Sequence, residues 1–179
     1  MDKTGERVAS LYGQARNHWL AGRHDETIRD CEAALRLMPD FIDALYLCAI
    51  AKKALNDFES ALADFNGVLD KDPTYHEAYY GRATVLYSFG EWANAVPDFT
   101  TYLSYQPNSR DALLLRGLAY HRLSESRKAL EDLTAAIEMD PSDGTTYIRR
   151  GQVFLSLGES EKAAADFSKG KALLPPSAK

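Results

Sequence analysis

The stretch MPDFIDALY, residues 38–46, returns three times in altered form farther along the chain. A proline, two or three polar residues and an apolar pair recur in DPTYHEAYY (72–80), QPNSRDALL (106–114) and DPSDGTTYI (140–148). The prolines of this pattern stand 34 residues apart: Pro39, Pro73, Pro107, Pro141 and Pro175. A fixed period of this length is typical of stacked supersecondary units, so the sequence predicts an array of five repeats.

The composition limits the class of protein. The chain has 179 residues, of which 45% are hydrophobic and 26% charged, as is ordinary for a globular protein. Its net charge of −5 disfavours binding to a phosphate backbone, so we expect no nucleic-acid partner. Two cysteines make no disulfide framework, no stretch is apolar enough for a membrane span, and the N-terminus lacks a signal segment. We expect a soluble cytoplasmic protein, although a domain cut from a longer chain would look the same.

Within each repeat, apolar residues fall at helical spacing in two stripes. In the third repeat, Tyr79 and Ala83 belong to one stripe, and Ala95 and Phe99 belong to the other. Each proline ends the second helix, because it lacks an N–H and disfavours helical conformation in the residue before it. The sequence therefore predicts ten helices, two per repeat, with no strand between residues 8 and 173. Residues that tolerate a left-handed conformation separate the stripes: Gly22, Asn56, Gly90, Ser124 and Gly158.

Small residues fill one column of the repeat alignment, where helix backbones are expected to approach closely: Ala15, Ala49, Ala83, Gly117 and Gly151. With the 34-residue period, this pattern resembles the tetratricopeptide repeat. The resemblance covers residues 8–175 as a single domain and implies an all-α fold, a right-handed superhelical solenoid of five helix-turn-helix repeats. The implied segments are an N-terminal extension (1–7), the repeats 8–41, 42–75, 76–109, 110–143 and 144–177, and a C-terminal tail (176–179).

The first helix of each repeat carries a second stripe beside its packing stripe. In the family, these positions line a concave face that typically holds an extended or helical peptide from a partner protein. We call them the groove set: Tyr12, Arg16, Trp19, Tyr46, Ile50, Lys53, Tyr80, Thr84, Tyr87, Leu114, Leu118, His121, Ile148 and Gln152. Charged residues on the same helices, such as Glu77, Asp111 and Arg149, are expected to set the register of a bound peptide.

One known specialisation of the family clamps the C-terminal carboxylate of heat-shock chaperones with lysine, asparagine and arginine side chains. Counted from the first repeat, the corresponding positions hold Tyr12, Arg16, Leu47, Glu77 and Gly81. Counted from the third repeat, only the final arginine, Arg149, matches. The clamp is absent, which argues against a chaperone tail as the partner.

No sequence motif for catalysis, nucleotide binding or metal binding occurs, and the four histidines are scattered. Cys31 and Cys48 stand in packing columns of adjacent repeats, where free thiols usually behave as small hydrophobic groups. A redox pair is the less favoured alternative, since intracellular disulfides are rare. We expect no enzyme activity, no metal and no cofactor.

Charged residues also recur with the period. An aspartate column runs through all five second helices, and an arginine column runs through three first helices. Because partly buried charges need partners, we expect each aspartate to pair with the arginine of the following repeat. The predicted pairs are Asp64–Arg82, Asp98–Arg116 and Asp132–Arg150.

Two departures from the repeat pattern carry structural expectations. His18 and Lys52 stand in a column that is otherwise apolar, which predicts looser packing in the first two repeats. Pro97 lies within the second helix of the third repeat, and we expect that helix to start late.

The two ends of the array suggest where stacking stops. Asn17 at the front and Lys171 at the back replace apolar residues, as the polar ends of a stack require. Phe167, Leu173 and Leu174 nevertheless stay apolar, which leaves open a homodimer through the C-terminal end. The predicted function is a protein-interaction module that binds a partner peptide in its groove. The alternative is a structural or self-assembling protein that associates through its array ends.

Overall fold

The computed structural model describes residues 3–175, which form α-helices joined by short loops and contain no strand. The predicted all-α fold is confirmed, and so are the ten helices within the described residues. They are α1 (Lys3–Leu20), α2 (His24–Leu37), α3 (Ile42–Ala54), α4 (Phe58–Lys71), α5 (His76–Ser88), α6 (Trp92–Tyr105), α7 (Arg110–Arg122), α8 (Ser126–Met139), α9 (Gly144–Ser156) and α10 (Ser160–Leu173). We call the odd-numbered helices A helices and the even-numbered ones B helices. The predicted tail, 176–179, lies outside the described residues.

The helix boundaries follow the sequence period. The B helices begin at residues 24, 58, 92, 126 and 160, each 34 residues after the last. Every proline of the 34-residue series lies two residues beyond the end of a B helix, as predicted. Helix α1 begins at Lys3, inside the segment expected to be an extension, so it has 18 residues where the other A helices have 13.

A residue with a left-handed backbone separates the A and B helices of each hairpin. The predicted column is confirmed, because φ is 70° at Gly22, 61° at Asn56, 78° at Gly90, 62° at Ser124 and 76° at Gly158. This conformation ends the A helix and reverses the chain while the backbone remains hydrogen-bonded. For example, the N–H of the residue after Ser124 donates to the Tyr120 carbonyl at 2.8 Å.

The helices group into two compact units, Met1–Val85 and Leu86–Lys179, whose boundary falls within α5. In the first unit, α1 packs on α2, α2 on α3, and α3 on α4. Its core includes the fully buried Phe65 and Val68. In the second unit, α6 packs on α7, α7 on α8, α8 on α9, and α9 on α10, with Leu133 and Val153 in the core.

The small column lies where helices approach closely. Ala15, Ala49 and Ala83 are completely buried. A Cβ atom added at Gly151 would lie 2.8 Å from the Phe167 ring, closer than packed atoms can approach. The column therefore consists of small residues because larger side chains would push the two helices of a hairpin apart.

Helix α6 accommodates a proline in its interior. The expected late start is wrong, because α6 begins at Trp92, in register with the other B helices, and contains Pro97. The missing N–H of Pro97 would have bonded to the carbonyl of Ala93. Both residues are exposed, so water can reach that carbonyl and satisfy it.

Two arginines of the column pair with aspartates inside their own hairpins. Arg116 donates from Nε and Nη2 to the carboxylate of Asp132 at 2.8 and 2.7 Å, and Arg150 binds Asp166 in the same way. The predicted pairs Asp98–Arg116 and Asp132–Arg150 are therefore wrong. Within a hairpin, each of these A-helix arginines lies opposite the B-helix residue 16 positions later, which the sequence spacing did not reveal.

The same arginines also reach the preceding repeat. Nη1 of Arg116 donates to the hydroxyl of Thr100 at 3.2 Å, and Nη1 of Arg150 donates to the hydroxyl of Thr134 at the same distance. Each hydroxyl belongs to the B helix of the repeat before. One side chain thus closes its own hairpin and ties it to its neighbour.

In the first two repeats the side chain next to the aspartate stands one helical turn later. Nζ of Lys52 lies 2.7 Å from the Asp64 carboxylate, so the predicted Asp64–Arg82 pair is also wrong. Likewise, Nδ1 of His18 lies 2.9 Å from Asp30. The arginine column holds an uncharged residue in both repeats. Lys52 therefore takes over the partner role of the arginine, and His18 stands at the same position in the first repeat.

Candidate peptide-binding surface

The groove-set residues of the first unit lie on α1, α3 and α5. Arg16 is exposed, and the others are half-buried. The ring of Tyr12 packs edge-on against Phe41 with centroids 4.8 Å apart, and Tyr46 lies 4.9 Å from the ring of Tyr75. Part of each tyrosine is thus held by a neighbouring ring while another part stays accessible.

Lys53 lies close to two other groove-set residues of the first unit, Thr84 and Tyr80. Its Nζ donates to the Thr84 hydroxyl at 3.3 Å and lies 6.0 Å from the centre of the Tyr80 ring. Burial lowers the pKa of Lys53 from its ordinary value. Elsewhere in the unit, Trp19 packs against His24 at 5.0 Å, and Ile50 packs against the core.

In the second unit, four groove-set residues line a single cavity of about 350 Å³. Leu114 and Ile148 are not among its lining residues, and Leu114 packs against the core of this unit. We call this space the basic cavity, and its lining residues are Tyr87, Leu118, His121, Arg122, Arg149 and Gln152.

Arg122 is the lining residue that the sequence analysis missed. It follows His121 directly and is the last residue of α7. The same column in the other repeats holds only uncharged residues: Leu20, Ala54, Ser88 and Ser156. One charged residue in an otherwise uncharged column was the available signal.

The basic cavity has an unusual polar lining. Burial, reinforced by the charge of Arg122, lowers the pKa of His121, so the imidazole is neutral at neutral pH. Its Nδ1 is buried and has no hydrogen-bond partner among residues 3–175. The guanidinium carbon of Arg122 lies over the Trp92 ring, 5.7 Å from its centre, and Arg149 donates to the Gln152 side chain at 3.4 Å.

The two cysteines are free thiols in the interior of the first unit. Burial, with smaller contributions from nearby acidic groups, raises the pKa of Cys31 and of Cys48 to about 12. Both therefore stay protonated at neutral pH and pack as small apolar groups.

The described residues contain neither a cluster of metal-ligating side chains nor a membrane-spanning helix. Within 3–175, no three histidine, cysteine, aspartate or glutamate side chains lie together as a metal site would require. In the same range, no helix is both long enough and apolar enough to cross a membrane.

Repeated helical hairpins with left-handed turns and a 34-residue period define an all-α repeat protein. Sequence models of the tetratricopeptide repeat match residues 18–83, 82–126 and 114–178. The chain belongs to the tetratricopeptide-repeat family. This fold and family support a role as a protein-interaction scaffold. No curated protein sequence matches the chain significantly.

Several solved structures have a similar fold. MamA of Desulfovibrio magneticus RS-1, from residue 41 to its end, is 24% identical with a TM-score of 0.89, over 95% of this chain and 96% of that one. Another MamA crystal structure is 21% identical with a TM-score of 0.86, and the match covers 94% of this chain and 92% of that one. YrrB, described as a TPR protein with an unusual peptide-binding site, is 16% identical with a TM-score of 0.87. The match covers 98% of this chain and 94% of that one. At these identities the similarity shows the fold.

Proposed function

We propose that this chain is a non-catalytic interaction module that binds a peptide of a partner protein along the groove set. The observation that carries the proposal is the recurrence of partly accessible aromatic and aliphatic side chains on the A helices. Tyr12, Tyr46 and Tyr80 repeat with the 34-residue period, and each is half-buried. Accessible apolar groups gathered on one set of helices usually mark a contact surface.

The rings in the first unit suit the role of binding anchors. Tyr12 and Tyr46 are already held by Phe41 and Tyr75, so little side-chain freedom remains to be lost on binding. Rigid aromatic side chains commonly contribute most of the binding energy of an interface. We therefore expect a peptide with hydrophobic or aromatic side chains. YrrB, which has the same fold, is described as having a peptide-binding site, and this supports a peptide as the ligand.

Selection from a displayed library of random twelve-residue peptides tests the proposal. Selected peptides should bind the wild-type chain, and Tyr46→Ala and Leu118→Ala should each weaken binding by about tenfold. Tyr105→Ala is the control, because Tyr105 is 51% exposed at the end of a B helix. Groove binding would be refuted if no peptide were enriched. It would also be refuted if the control lost as much binding affinity as the groove variants.

The alternative function, self-association through the array ends, makes a different prediction. Phe167 contacts α9 at Gly151, and Leu173 lies against Gly144, so the last hairpin uses both side chains internally. Leu174 is 41% exposed and is the residue that a dimer would use. Light scattering at rising concentration should show a monomer. A dimer that Leu174→Asp dissociates would favour the alternative.

A further inference from the structure

The basic cavity differs in charge from the chain that contains it. The protein has a net charge of −5, yet the described residues that line the cavity include two arginines and no aspartate or glutamate. Its lining residues come from the A helices α5, α7 and α9. The cavity thus lies on the helices that carry the groove set.

Neither arginine of the cavity has an anionic partner among residues 3–175. Arg116 and Arg150, in the same unit, each bind an aspartate through two hydrogen bonds. By contrast, Arg122 contacts the face of Trp92, and Arg149 contacts an amide oxygen. Neither has a carboxylate within ion-pair distance in the described part of the chain. Two positive charges facing one cavity repel each other unless an anion lies between them.

The other polar groups of the cavity also suit a ligand that accepts hydrogen bonds. A guanidinium only donates, and the amide of Gln152 and the hydroxyl of Tyr87 can each donate as well. His121 also lines the cavity, and a neutral imidazole donates one hydrogen bond from the nitrogen that carries its proton. A carboxylate has two oxygens that accept several such hydrogen bonds.

Part of the site is already organised before a ligand arrives. Stacking on Trp92 limits the orientations of the Arg122 guanidinium, so less entropy is lost when an anion binds. Leu118 and the ring of Tyr87 add apolar surface beside the charges. A charged group placed between them would lie partly away from water, where charge-assisted hydrogen bonds are stronger.

We propose that the basic cavity binds the carboxylate of an aspartate or glutamate side chain in the partner peptide. The inference rests on the proposed function and specifies its ligand as an acidic peptide with apolar anchors. Of the cavity residues, only Arg149 stands at a position of the chaperone-tail clamp. His121 and Arg122 do not, and the ligand group is a side chain and not a chain terminus.

The test compares peptides selected on the wild-type chain with peptides selected on Arg122→Gln/Arg149→Gln. Peptides selected on the wild type should be enriched in aspartate and glutamate, and peptides selected on the double variant should not. One selected peptide is then made with an amidated C-terminus, together with a copy in which each acidic residue is replaced by its amide. The amide copy should bind the wild type about tenfold more weakly or worse, and the double variant should bind both peptides equally.

A second double variant, Lys169→Gln/Lys171→Gln, removes the same charge from exposed positions of α10 and should keep the acidic preference. Thermal unfolding of both double variants checks that the fold is retained. Three outcomes would overturn the inference while leaving groove binding intact. The enriched peptides could lack acidic residues, the acidic and amide peptides could bind equally, or the α10 variant could lose the acidic preference to the same extent. If no peptide is enriched at all, the proposed function fails, and the inference fails with it.

Discussion

At the scale of single residues, the bidentate pairs within the hairpins show how this fold keeps charge in its interior. Asp132 and Asp166 are only 6% and 7% exposed, and each accepts two hydrogen bonds from an arginine. A carboxylate at such depth needs a cation with matching geometry, and the planar guanidinium supplies it. Removing the cation would leave a buried charge without compensation.

We therefore expect Arg150→Gln to lower the free energy of unfolding by about 3 kcal/mol. The neighbouring Arg149→Gln is the matched control. Arg149 is exposed and donates to a surface amide, so its loss should change stability by less than about 0.5 kcal/mol. Urea unfolding of the two variants measures the difference. Equal effects would show that the Arg150 pair does not stabilise the hairpin.

The turn residues provide a second test at this scale. Ser124 adopts φ of 62° and Gly158 adopts φ of 76° at equivalent positions of successive hairpins. A side chain with a Cβ is strained in this conformation, whereas glycine is not. Ser124→Gly should raise the free energy of unfolding by about 1 kcal/mol, and Gly158→Ser should lower it by about the same amount. Changes of the same sign in the two variants, measured by thermal unfolding, would contradict this account.

At the scale of helices, the hairpins depend on backbones that nearly touch. A Cβ atom added at Gly170 in α10 would lie 2.6 Å from the carbonyl oxygen of Gly144 in α9. A backbone oxygen cannot rotate away as a flexible side chain can, so the two helices would have to separate. The approach of α9 to α10 therefore requires glycine at this point.

Gly170→Ala should lower the free energy of unfolding by about 1–3 kcal/mol, because it forces the two helices apart. Gly13→Ala makes the same chemical change in α1, where a Cβ would meet nothing within 4 Å. In that open position, alanine should stabilise the helix by about 0.5–1 kcal/mol. Denaturant unfolding measures the change in the free energy of unfolding, which we expect to have opposite signs in the two variants. If helix propensity alone decided stability, both variants would be more stable than the wild type.

Local rules explain why so much of this fold could be predicted from the sequence. Proline series, apolar spacing and turn residues act within one repeat, so they predicted the ten helices and their left-handed turns. Pairing across helices depends on how each helix is rotated about its axis, which spacing alone does not determine. The arginine partners were therefore assigned to the wrong repeat. Arg122 was missed for another reason. It is the one charged residue in a column that is otherwise uncharged, so a search for recurring residue types does not find it.

At the scale of the whole molecule, the scaffold and the surface that it presents have separate sequence requirements. The buried small column, the turns and the ion pairs define the tetratricopeptide fold, and the solved structures share that fold at 16–24% identity. Some groove-set residues, such as Arg16 and Gln152, are exposed and belong to none of these features, so they are free to suit a particular partner. In this chain we expect tyrosines in the first unit to bind apolar side chains and the basic cavity in the second unit to bind an acidic one.

The measurement that tests the central claim most directly is amide NMR of the 15N-labelled, 19.9 kDa chain titrated with a selected peptide. Groove binding predicts that the largest shift changes fall on the A helices, near Tyr12, Tyr46, Tyr80, Leu118 and His121. The B helices should change little, because they carry no groove-set residue. Largest changes on the B helices, or confined to the end of α10 around Leu174, would contradict the claim that this scaffold binds its partner through the groove set.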